Sequence, residues 1–555
     1  MTRAGVVLRR HVAYAIFMAL LGAQAAHALP PYGPLQVTGS VQSQTLIRNP
    51  DIDHYQLIQN RNTLRLRLDY EWVKNGQFID RFNLPWLDTS HLFMLYRGVY
   101  DAADDIAPGG NLHDILGQSV GSLNDLSSRT RDGLKFENQL REAYIDVNFR
   151  QVPLSLRLGR QQVVWGETDS FRMLDRANPL DLSWHQTFES WDDLRMPLWM
   201  IKAMWRIGSL GPLSDTFVES YWDPGDWAPA KQKFMPDHPW GIPAQNPFKR
   251  LEPFAKLPHS PLRSPITLFR GTTLFNQGDY TRDPGDNSQV GVRFSAVAHG
   301  VQFSLNYFYQ RWAGDDGTNY APVSALMEPA QISEAKSRGE VPAKFIAPYV
   351  HTAGLSMNYS EEDYTQTVYR METIYDFGVP FSDSSKRPPQ QSFLHDTKTF
   401  GVFGNSKRDM WKGMLGFDRP TWIRTLNRTS TFFLSGQFFW HYLIDREPTF
   451  VGNVDPRTPS HDKVREWETV ATLVATTFYG SGTIVPTLIY GIDPANTYNM
   501  YIGWTLDYFL TNDFIVRVGQ NFFVLPGTPP AFESWSIGGF NRGRSESLVR
   551  LTYQF

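Results

Sequence analysis

Residues 546–555 read ESLVRLTYQF, and this stretch decides the fold expected of the whole chain. Its apolar positions recur at every second residue, which is the period of a β-strand whose successive side chains point to opposite faces. One face carries Ser547, Val549, Leu551, Tyr553 and Phe555. The other face carries Glu546, Arg550, Thr552 and Gln554. We therefore predict a last strand with one apolar side and one polar side.

The end of this strand also carries a targeting pattern. Leu551, Tyr553 and Phe555 resemble the membrane-insertion signal that the barrel-assembly machinery reads in outer-membrane proteins. Such a strand is an unpaired edge that can add to a template, with its lipid-facing side already specified. We expect these three residues to form the insertion signal and the assembly machinery to be a partner.

The N-terminal residues predict export. Arg3, Arg9 and Arg10 precede an apolar run over residues 12–21, and Ala26-His27-Ala28 forms a cleavage site with small residues on both sides of the histidine. The apolar run is about half the roughly 20 residues that a membrane-spanning helix needs. The chain has no cysteine, which excludes a lipoprotein and any disulfide. We predict a signal peptide over residues 1–28 and one domain over residues 29–555.

Composition fits a membrane barrel and also fits a soluble carbohydrate-binding β-protein. Aromatic residues make up 14% of the chain, although its mean hydropathy is only −0.36. This combination is expected when lipid-facing apolar residues alternate with polar residues of a lumen. No later stretch of about 18 apolar residues predicts a membrane-spanning helix. The net charge of −3 gives no support for a nucleic-acid partner.

Alternating segments recur along the whole chain. A clear example begins at Leu64, where Leu64, Leu66 and Leu68 alternate with Arg65 and Arg67. We count about 18 such segments as candidate strands. They begin near residues 35, 62, 90, 137, 153, 198, 214, 288, 301, 350, 366, 410, 429, 466, 482, 497, 513 and 545.

The connections between these segments are alternately long and short. Bacterial outer-membrane barrels show this pattern because their strand number is even, their periplasmic turns are short and their external loops are longer. Two connections fit badly: Lys74 to Thr89 is long for a turn, and Ile492 to Asn496 is short for an external loop. We predict an all-β, transmembrane, antiparallel up-and-down β-barrel of 16 or 18 strands in the bacterial outer membrane.

The stretch from Asp223 to Pro265 does not read as a strand. It is rich in proline, which removes the main-chain donors that a sheet requires, and it also contains Trp227, Trp240 and Phe248. We interpret it as a large external loop that could fold into the lumen as a constriction.

Sequence motifs give little support for catalysis or metal binding. Residues 117–121 read GQSVG and match a nucleophile elbow, but Ser119 lies in a predicted loop and not between a strand and a helix. The acids Asp101, Asp104 and Asp105 could bind a cation, although a solvated loop explains them better. Histidines are sparse and show no zinc-ligand spacing. We expect no catalytic residue, no cofactor and no metal.

The most distinctive segment is LRLGRQQVVWGE over residues 156–167, followed by NPLD over residues 178–181. This segment resembles the signature of a bacterial outer-membrane protein family catalogued as domain of unknown function 1302. Its members carry a strand that ends in LGRQ, then V-x-W-G-E and an N-P-x-D turn. The resemblance implies an outer-membrane component in the movement of hydrophobic molecules or lipids. A periplasmic lipid carrier and an inner-membrane pump would be its partners, together with outer-membrane lipid and lipopolysaccharide.

The same resemblance singles out residues as candidates for lining a substrate path or anchoring a loop. Anchoring would use a buried Arg–Glu pair that holds an inward-folded loop, with Trp165 packed against it, and we favour this interpretation over direct substrate contact. The candidates are Arg157, Arg160, Gln161, Trp165, Gly166, Glu167, Asn178, Pro179 and Asp181.

We expect a conduit or docking component for hydrophobic or amphipathic molecules. Tyr144, Phe308 and Tyr501 fall at candidate lumenal positions and favour an amphipathic path. A general diffusion porin is the alternative, an adhesive surface protein is a weaker one, and a hydrolase would need Ser119 beside a histidine. Lumenal positions carry charges of both signs, which argues against a strongly ion-selective pore: Arg65, Arg67, Asp69, Glu142, Asp146, Arg157, Arg293, Arg370, Glu372 and Arg517.

Overall fold

The structure is a computed structural model, and it describes a defined set of residues. These are residues 35–49, 55–79, 82–106, 111–113, 119–122, 135–181, 183–184, 189–228, 287–312, 324–326, 343–345, 347–386, 404–454, 461–495, 498–524 and 544–555. The predicted signal peptide and most of the proline-rich stretch lie outside them. In this part of the chain, no helix is long and apolar enough to cross a membrane.

Eighteen long strands form the fold. They are β1 (Leu35–Arg48), β2 (Gln56–Lys74), β3 (Leu87–Asp101), β4 (Phe136–Phe149), β5 (Leu154–Gln161), β6 (Leu198–Leu210), β7 (Leu213–Asp223), β8 (Gln289–Ala298), β9 (Val301–Arg311), β10 (Tyr349–Glu361), β11 (Thr367–Asp383), β12 (Gly404–Thr421), β13 (Phe432–Leu443), β14 (Trp467–Thr476), β15 (Ile484–Ile492), β16 (Met500–Phe509), β17 (Phe514–Val524) and β18 (Glu546–Gln554).

Each strand pairs antiparallel with the next one along the chain, and β18 pairs with β1 to close the barrel. The predicted fold class is confirmed, and of the two predicted strand numbers 18 is correct. Predicted strand starts such as 35, 198 and 301 coincide with the observed ones, whereas β2 and β12 start six residues before the predicted positions 62 and 410.

The closing seam involves the last residue of the chain. The amide of Phe555 donates to the carbonyl of Gly39 at 3.0 Å, and the amide of Gly39 donates to the carbonyl of Phe555 at 2.8 Å. Leu551 and Tyr553 stand opposite Ser43 and Val41 of β1. Leu551 and Tyr553 of the predicted insertion signal therefore lie in the strand that closes the barrel, and Phe555 follows it directly and bonds to β1.

The outer surface of the barrel is apolar. In β2, Leu64 and Leu66 are exposed while Arg65 between them makes contacts inside, as the two-residue period requires. Aromatic side chains on many strands are exposed in the same way, and exposed aromatic and apolar groups suit a lipid-facing surface. They include Trp199, Trp205, Trp222, Tyr307, Tyr359, Trp411, Phe438, Trp504 and Tyr508.

The connections divide the barrel into two ends. At the short-turn end, which contains Leu35 and Phe555, the connections are 75–86, 150–153, 211–212, 299–300, 362–366, 422–431, 477–483 and 510–513. The long-loop end contains the rest. The connection from Lys74 to Thr89, which is long for a turn, contains two short strands. Gln77–Phe78 pairs with the end of β2, and Phe82–Asn83 pairs with Gln77–Phe78. The short connection after Ile492 is closed by hydrogen bonds between Asp493 and the main chain of Asn499 and Tyr498.

Small elements decorate the long-loop end. The helix α1 (Ala103–Ile106) follows β3 there, whereas α2 (Trp191–Leu194), which precedes β6, lies inside the barrel. Three short hairpins pair Asn111–His113 with Ser119–Ser122, Ser324–Leu326 with Ala343–Phe345, and Val451–Val454 with His461–Lys463. A 3-10 turn, Gly480–Gly482, lies at the opposite end.

Candidate functional site

The connection between β5 and β6, residues 162–197, folds into the barrel, and we call it the lumenal loop. It contains most of the residues that the sequence singled out. Its described residues contact wall strands that precede it and wall strands that follow it in the sequence, from β2 to β14. The lumenal loop therefore lies inside the barrel, between opposite parts of its wall.

Asn178 clamps the two ends of the loop together. Its side-chain oxygen accepts from the amide of Val163 at 2.7 Å, and its side-chain nitrogen donates to the carbonyls of Gln161 at 3.2 Å and Met196 at 2.9 Å. The side chain of Gln161 donates in turn to the carbonyl of Met200 in β6 at 2.9 Å. Both Gln161 and Asn178 are fully buried, so these bonds are shielded from water and hold the base of the loop in one geometry.

Trp165 packs the loop against one half of the barrel wall. Its ring lies 5.2 Å from the rings of both Tyr221 and Phe308, and the guanidinium of Arg293 lies 5.4 Å from it. The buried apolar residues around it form the apolar cluster, drawn from the loop and from strands β6 to β14. Its members are Val163, Trp165, Met173, Leu174, Ala177, Leu198, Met200, Tyr221, Trp227, Phe308, Ala347, Ile374, Met414, Phe439 and Val470.

Glu372 of β11 holds the middle of the loop from the wall. Its carboxylate accepts from the amide of Glu167 and from the amide of Leu174, the latter at 3.2 Å. Asn358 of β10 donates to the side chain of Glu167. A carboxylate that accepts main-chain N–H groups forms a charge-assisted hydrogen bond, which is roughly twice as strong as a neutral one. The predicted residue Glu167 therefore lies at an anchoring point.

Asp169 anchors the deepest part of the loop. It pairs with Arg370 at 2.7 Å and accepts from Gln437 at 3.1 Å and from Ser435 at 3.2 Å. Arg370 is the fourth residue of β11 counted from the short-turn end. Because a strand rises about 3.3 Å per residue, the loop descends through most of the barrel from the long-loop end.

A second buried carboxylate joins the loop to the wall. Asp376 of β11 pairs with Arg176 of the loop and with Lys412 of β12, the latter at 3.1 Å. Thr352 of β10 also donates to Asp376 at 2.5 Å. Asp376 and Lys412 are fully buried, and a buried ion pair loses several kcal/mol when one partner is removed. This contact therefore fixes the loop strongly on the β10 to β12 side.

The opposite side of the loop is acidic and faces arginines of the wall. We call Arg61, Arg65, Arg97 and Arg141 of β2 to β4 the arginine wall. The loop residues Asp181, Glu189, Asp192 and Asp193 form the acidic segment that meets it.

The contacts between the two are close, and they are buried or partly buried. Arg61 pairs with Glu189, and Arg65 pairs with Asp193 at 2.8 Å. Arg97 lies 3.7 Å from Asp193 and 2.5 Å from the wall residue Glu137. Burial alone would raise the pKa of Asp193, but the surrounding guanidinium groups reverse this effect and lower the pKa below its ordinary value. Asp193 is therefore ionised against the arginine wall.

Arg141 completes the arginine wall with neutral partners. It donates to the carbonyls of Asp192 at 2.9 Å and Arg195 at 2.5 Å. Arg195 pairs with Asp175 at 2.8 Å, and Asp175 follows Leu174 of the apolar cluster. The arginine wall and the apolar cluster are thus neighbours across the loop.

The remaining predicted residues have different environments. Arg157 makes a two-point ion pair with Asp146 at 2.6 and 2.8 Å, over the ring of Tyr144. Gly166 is in close contact with Asp175, and the carbonyl of Pro179 accepts from the amide of Met196 at 2.7 Å. Asp181 accepts from the amide of Ser183 at 3.0 Å and lies 3.8 Å from Arg97.

Arg160 and Glu167, two of the predicted residues, do not pair with each other, and a buried Arg–Glu pair between wall and loop is formed by Arg61 and Glu189. Arg160 follows the exposed Leu158 on the outward face of β5, and it donates to the carbonyls of Leu140 and Pro197 at 2.9 and 3.1 Å. Glu167 instead meets Asn358 inside the lumen. The physical reason is the two-residue period, which points positions 160 and 161 to opposite sides of the wall.

Sequence reasoning missed most of the arginine wall. Arg61, Arg97 and Arg141 were not among the candidate residues, nor were Glu189 and Asp193. The signal that could have found the arginines is their position on the polar face of three consecutive strands. Their acidic partners could not be found in this way, since the pairs join residues up to 128 positions apart.

The lumenal aromatics and charges occupy the inner face as expected. Phe308 belongs to the apolar cluster, Tyr144 stacks on Phe93 at 4.8 Å between ring centroids, and Tyr501 donates to Asn521 at 2.6 Å. Several lumenal charges pair with each other along the wall. These pairs include Arg67 with Asp69, Arg293 with Glu219, and Arg517 with Asp507.

The motif around Ser119 lies partly outside the described residues. Ser119 is the first residue of a short strand and stands opposite His113 in the hairpin register. A nucleophile elbow requires a helix after the serine, and here a strand follows it. Nearby, Asp101 accepts from the amide of Ala103 at 3.0 Å, and Asp105 pairs with Lys135 at 3.0 Å. Within the described ranges, no group of three potential ligands could hold a metal ion.

The proline-rich stretch is described only at its beginning. Trp227 is buried in the apolar cluster, and the side chain of Asn287 donates to its carbonyl at 2.9 Å. The predicted constriction by this stretch lies outside the described residues, and the described constriction comes from the lumenal loop.

Comparisons with known proteins bear on the family and the fold. The family described as "Protein of unknown function (DUF1302)" matches residues 10–478. No curated protein matches the chain. Three similar solved structures are those of OccAB1 and OccAB3 of Acinetobacter baumannii and of Salmonella typhi OmpF in complex with daunomycin. They are 8%, 9% and 9% identical, with TM-scores of 0.43, 0.42 and 0.35. Each comparison covers 94% of this chain, and 97%, 99% and 97% of the other chain.

Proposed function

The chain belongs to the DUF1302 family of proteins of unknown function, and on this premise we propose that it conducts hydrophobic or amphipathic molecules, lipids among them, across the bacterial outer membrane. The short-turn end would face the periplasm and the long-loop end the exterior. Movement of the lumenal loop would open the path. A periplasmic lipid carrier and an inner-membrane pump would supply or receive the cargo at the periplasmic side.

The apolar cluster is the observation that carries this proposal. A general diffusion porin encloses a polar, water-filled channel, whereas this lumen contains a buried apolar surface around Trp165 that is shared by the loop and strands β6 to β14. When the loop moves, the wall residues Phe308, Met414 and Phe439 would face the path. An apolar molecule could replace the loop there, because burial of apolar surface is favourable by about 25 cal/mol per Å².

The other half of the lumen is polar, which would make the path amphipathic. Gln42, Gln44, Asn521 and the arginine wall line strands β1 to β4 and β17. A molecule with an apolar part and a polar part could contact both halves at once. The same polar half is what favours the second candidate function, a general diffusion porin.

Conductance and hydrophobe binding distinguish the two functions. The wild-type protein would be reconstituted in planar bilayers for single-channel recording and in nanodiscs for binding of N-phenyl-1-naphthylamine, a neutral apolar probe that fluoresces in dry sites. We expect rare, brief openings and probe fluorescence above that of empty nanodiscs. Large, stable conductance steps without probe binding would show that the protein is a porin and would overturn the proposal.

A reversible cross-link tests the role of the loop. The native chain has no cysteine, so Asp169→Cys with Ser435→Cys, whose side-chain oxygens lie 3.2 Å apart, places two thiols at the deepest anchor. A short reducible cross-linker should abolish openings, and reduction should restore them. The single variant Ser435→Cys, treated identically, is the matched control. Unchanged openings in the cross-linked protein would show that the loop does not gate the path.

A further inference from the structure

We infer that the arginine wall is a binding site for an acidic headgroup, carboxylate or phosphate, and that the cargo is therefore an anionic amphiphile. This inference rests on the proposed function and names its substrate class. In the described structure the acidic segment of the lumenal loop occupies the site, so that its carboxylates stand where the headgroup would bind.

The geometry of the contacts supports an exchange between loop and ligand. Arg65 contacts both oxygens of Asp193, with distances of 2.8 and 3.3 Å, and Arg61 pairs with Glu189. The planar fork of a guanidinium matches a carboxylate and a phosphate equally well. The carboxylates that neutralise Arg61 and Arg65 thus belong to the segment that must move when the path opens.

The charge that would remain supports the same conclusion. When the acidic segment withdraws, Glu137 stays with Arg97, because both belong to the wall. Arg61 and Arg65 would lose Glu189 and Asp193, and Arg141 would lose its loop carbonyls. Buried cations without partners are costly, and an anion from the cargo could restore their pairing.

The surroundings of the arginine wall place an apolar tail next to the headgroup. Arg141 donates to the carbonyl of Arg195, whose side chain pairs with Asp175, the residue next to Leu174 of the apolar cluster. A molecule with its headgroup on Arg65 could therefore extend its tail along the apolar half of the lumen. A neutral or cationic amphiphile would leave the arginines unpaired, which gives selectivity for anions.

The test is competition against N-phenyl-1-naphthylamine in nanodiscs that hold the full protein. Dodecanoate and dodecyl phosphate supply the two acidic headgroups, and dodecanol and dodecyltrimethylammonium are the neutral and cationic controls of equal tail length. We expect both anions to compete roughly tenfold better than dodecanol, as one charge-assisted contact would allow. The ratio between the two anions shows which headgroup the site prefers.

Matched variants locate the effect at the arginine wall. Arg65→Gln should lower the ratio of anion competition to dodecanol competition roughly tenfold, whereas Arg67→Gln, on the same strand and paired with Asp69, should not. Glu189→Gln combined with Asp193→Asn removes the competing carboxylates and should raise anion affinity. Heat-modifiable gel mobility confirms that each variant is folded.

Two failures are distinguishable. Absence of probe binding above empty nanodiscs counts against the proposed function. In that case the headgroup site is tested by recording the current through the double variant Glu189→Gln, Asp193→Asn. Hexanoate should block this current, and hexanol should not. Equal competition by anions and dodecanol, equal block by hexanoate and hexanol, or equal effects of Arg65→Gln and Arg67→Gln would overturn the headgroup site.

Discussion

Arg65 and Asp193 lie 128 positions apart in the chain, yet their side chains form a two-point ion pair inside the barrel. Both side chains are about one-fifth exposed, at 22% and 21%, so water screens the pair only in part. Arg65 belongs to the wall and Asp193 to the lumenal loop. The pair therefore reports directly on whether the loop is docked.

The first prediction is that Arg65→Gln increases channel opening. Loss of one partner from a partly shielded charge pair costs about 2 kcal/mol of loop docking, which corresponds to a roughly thirtyfold larger open fraction. Single-channel recording in planar bilayers measures this fraction. Arg67→Gln is the control, since Arg67 pairs with Asp69 away from the loop and its side chain is 55% exposed. Equal open fractions in the two variants would show that the ion pair does not hold the loop.

The second prediction is that Trp165→Ala loosens the loop without unfolding the barrel. Removal of a buried tryptophan side chain costs about 3–5 kcal/mol through lost burial and an unfilled cavity. The wall strands keep their hydrogen-bonded ladders, so the loss should fall on the loop. Hydrogen exchange of loop amides such as those of Val163 and Leu174 should accelerate, while strand amides and heat-modifiable mobility stay unchanged.

Trp165→Phe is the control for this prediction. The indole N–H of Trp165 has no hydrogen-bond partner among the described residues, so phenylalanine loses packing volume but no described hydrogen bond. We expect a clearly smaller acceleration than in Trp165→Ala. Faster exchange of the strand amides in either variant would mean that the apolar cluster supports the wall itself.

The sequence predicted the barrel wall because strand period and turn length are local properties. Leu64, Arg65 and Leu66 define the two faces of β2 without any information from the rest of the chain. The inward fold of the loop was foreseen as one interpretation, with Trp165 as its packing residue. Its partners were not, since Glu372 and Asp193 contact residues far away in sequence. Pairing across a lumen follows no period, and only the closed barrel brings such residues together.

The third prediction concerns the closing seam at Gly39. A β-carbon at this position would lie 2.6 Å from the carbonyl oxygen of Arg65 and 2.7 Å from the ring of Phe555. Gly39→Val should therefore displace Phe555 and destabilise the pairing of β1 with β18 by about 1–3 kcal/mol. We expect a severalfold lower yield of folded protein, measured as heat-modifiable monomer in membrane fractions.

Thr38→Val is the matched control for the seam. It introduces the same side chain at the neighbouring, exposed position of β1. We expect nearly the wild-type yield of folded protein from this variant. If Thr38→Val and Gly39→Val assembled equally well, close packing of Phe555 on Gly39 would not matter for closure.

The fourth prediction is that the contribution of Asp193 to loop docking resists acid. Arg65, Arg97 and Arg141 lower the pKa of Asp193 below its ordinary value of 3.8, against the opposing effect of burial. A lowered pKa means that the docking contribution is present above the ordinary value and is lost only as the pH falls through the lower, docked-state pKa. The ratio of the open fractions of Asp193→Asn and the wild type, which measures this contribution, should therefore stay constant between pH 7 and pH 5.

Arg65→Gln should make the same channel sensitive to acid. This variant removes a main cause of the lowered pKa of Asp193 and leaves the burial that raises it, so protonation should begin at a higher pH. We expect the open fraction of this variant to begin to rise at a higher pH than that of the wild type. Adding Asp193→Asn should remove this dependence, because the amide does not titrate. A ratio that changed between pH 7 and pH 5 would mean that the arginine wall does not keep Asp193 ionised.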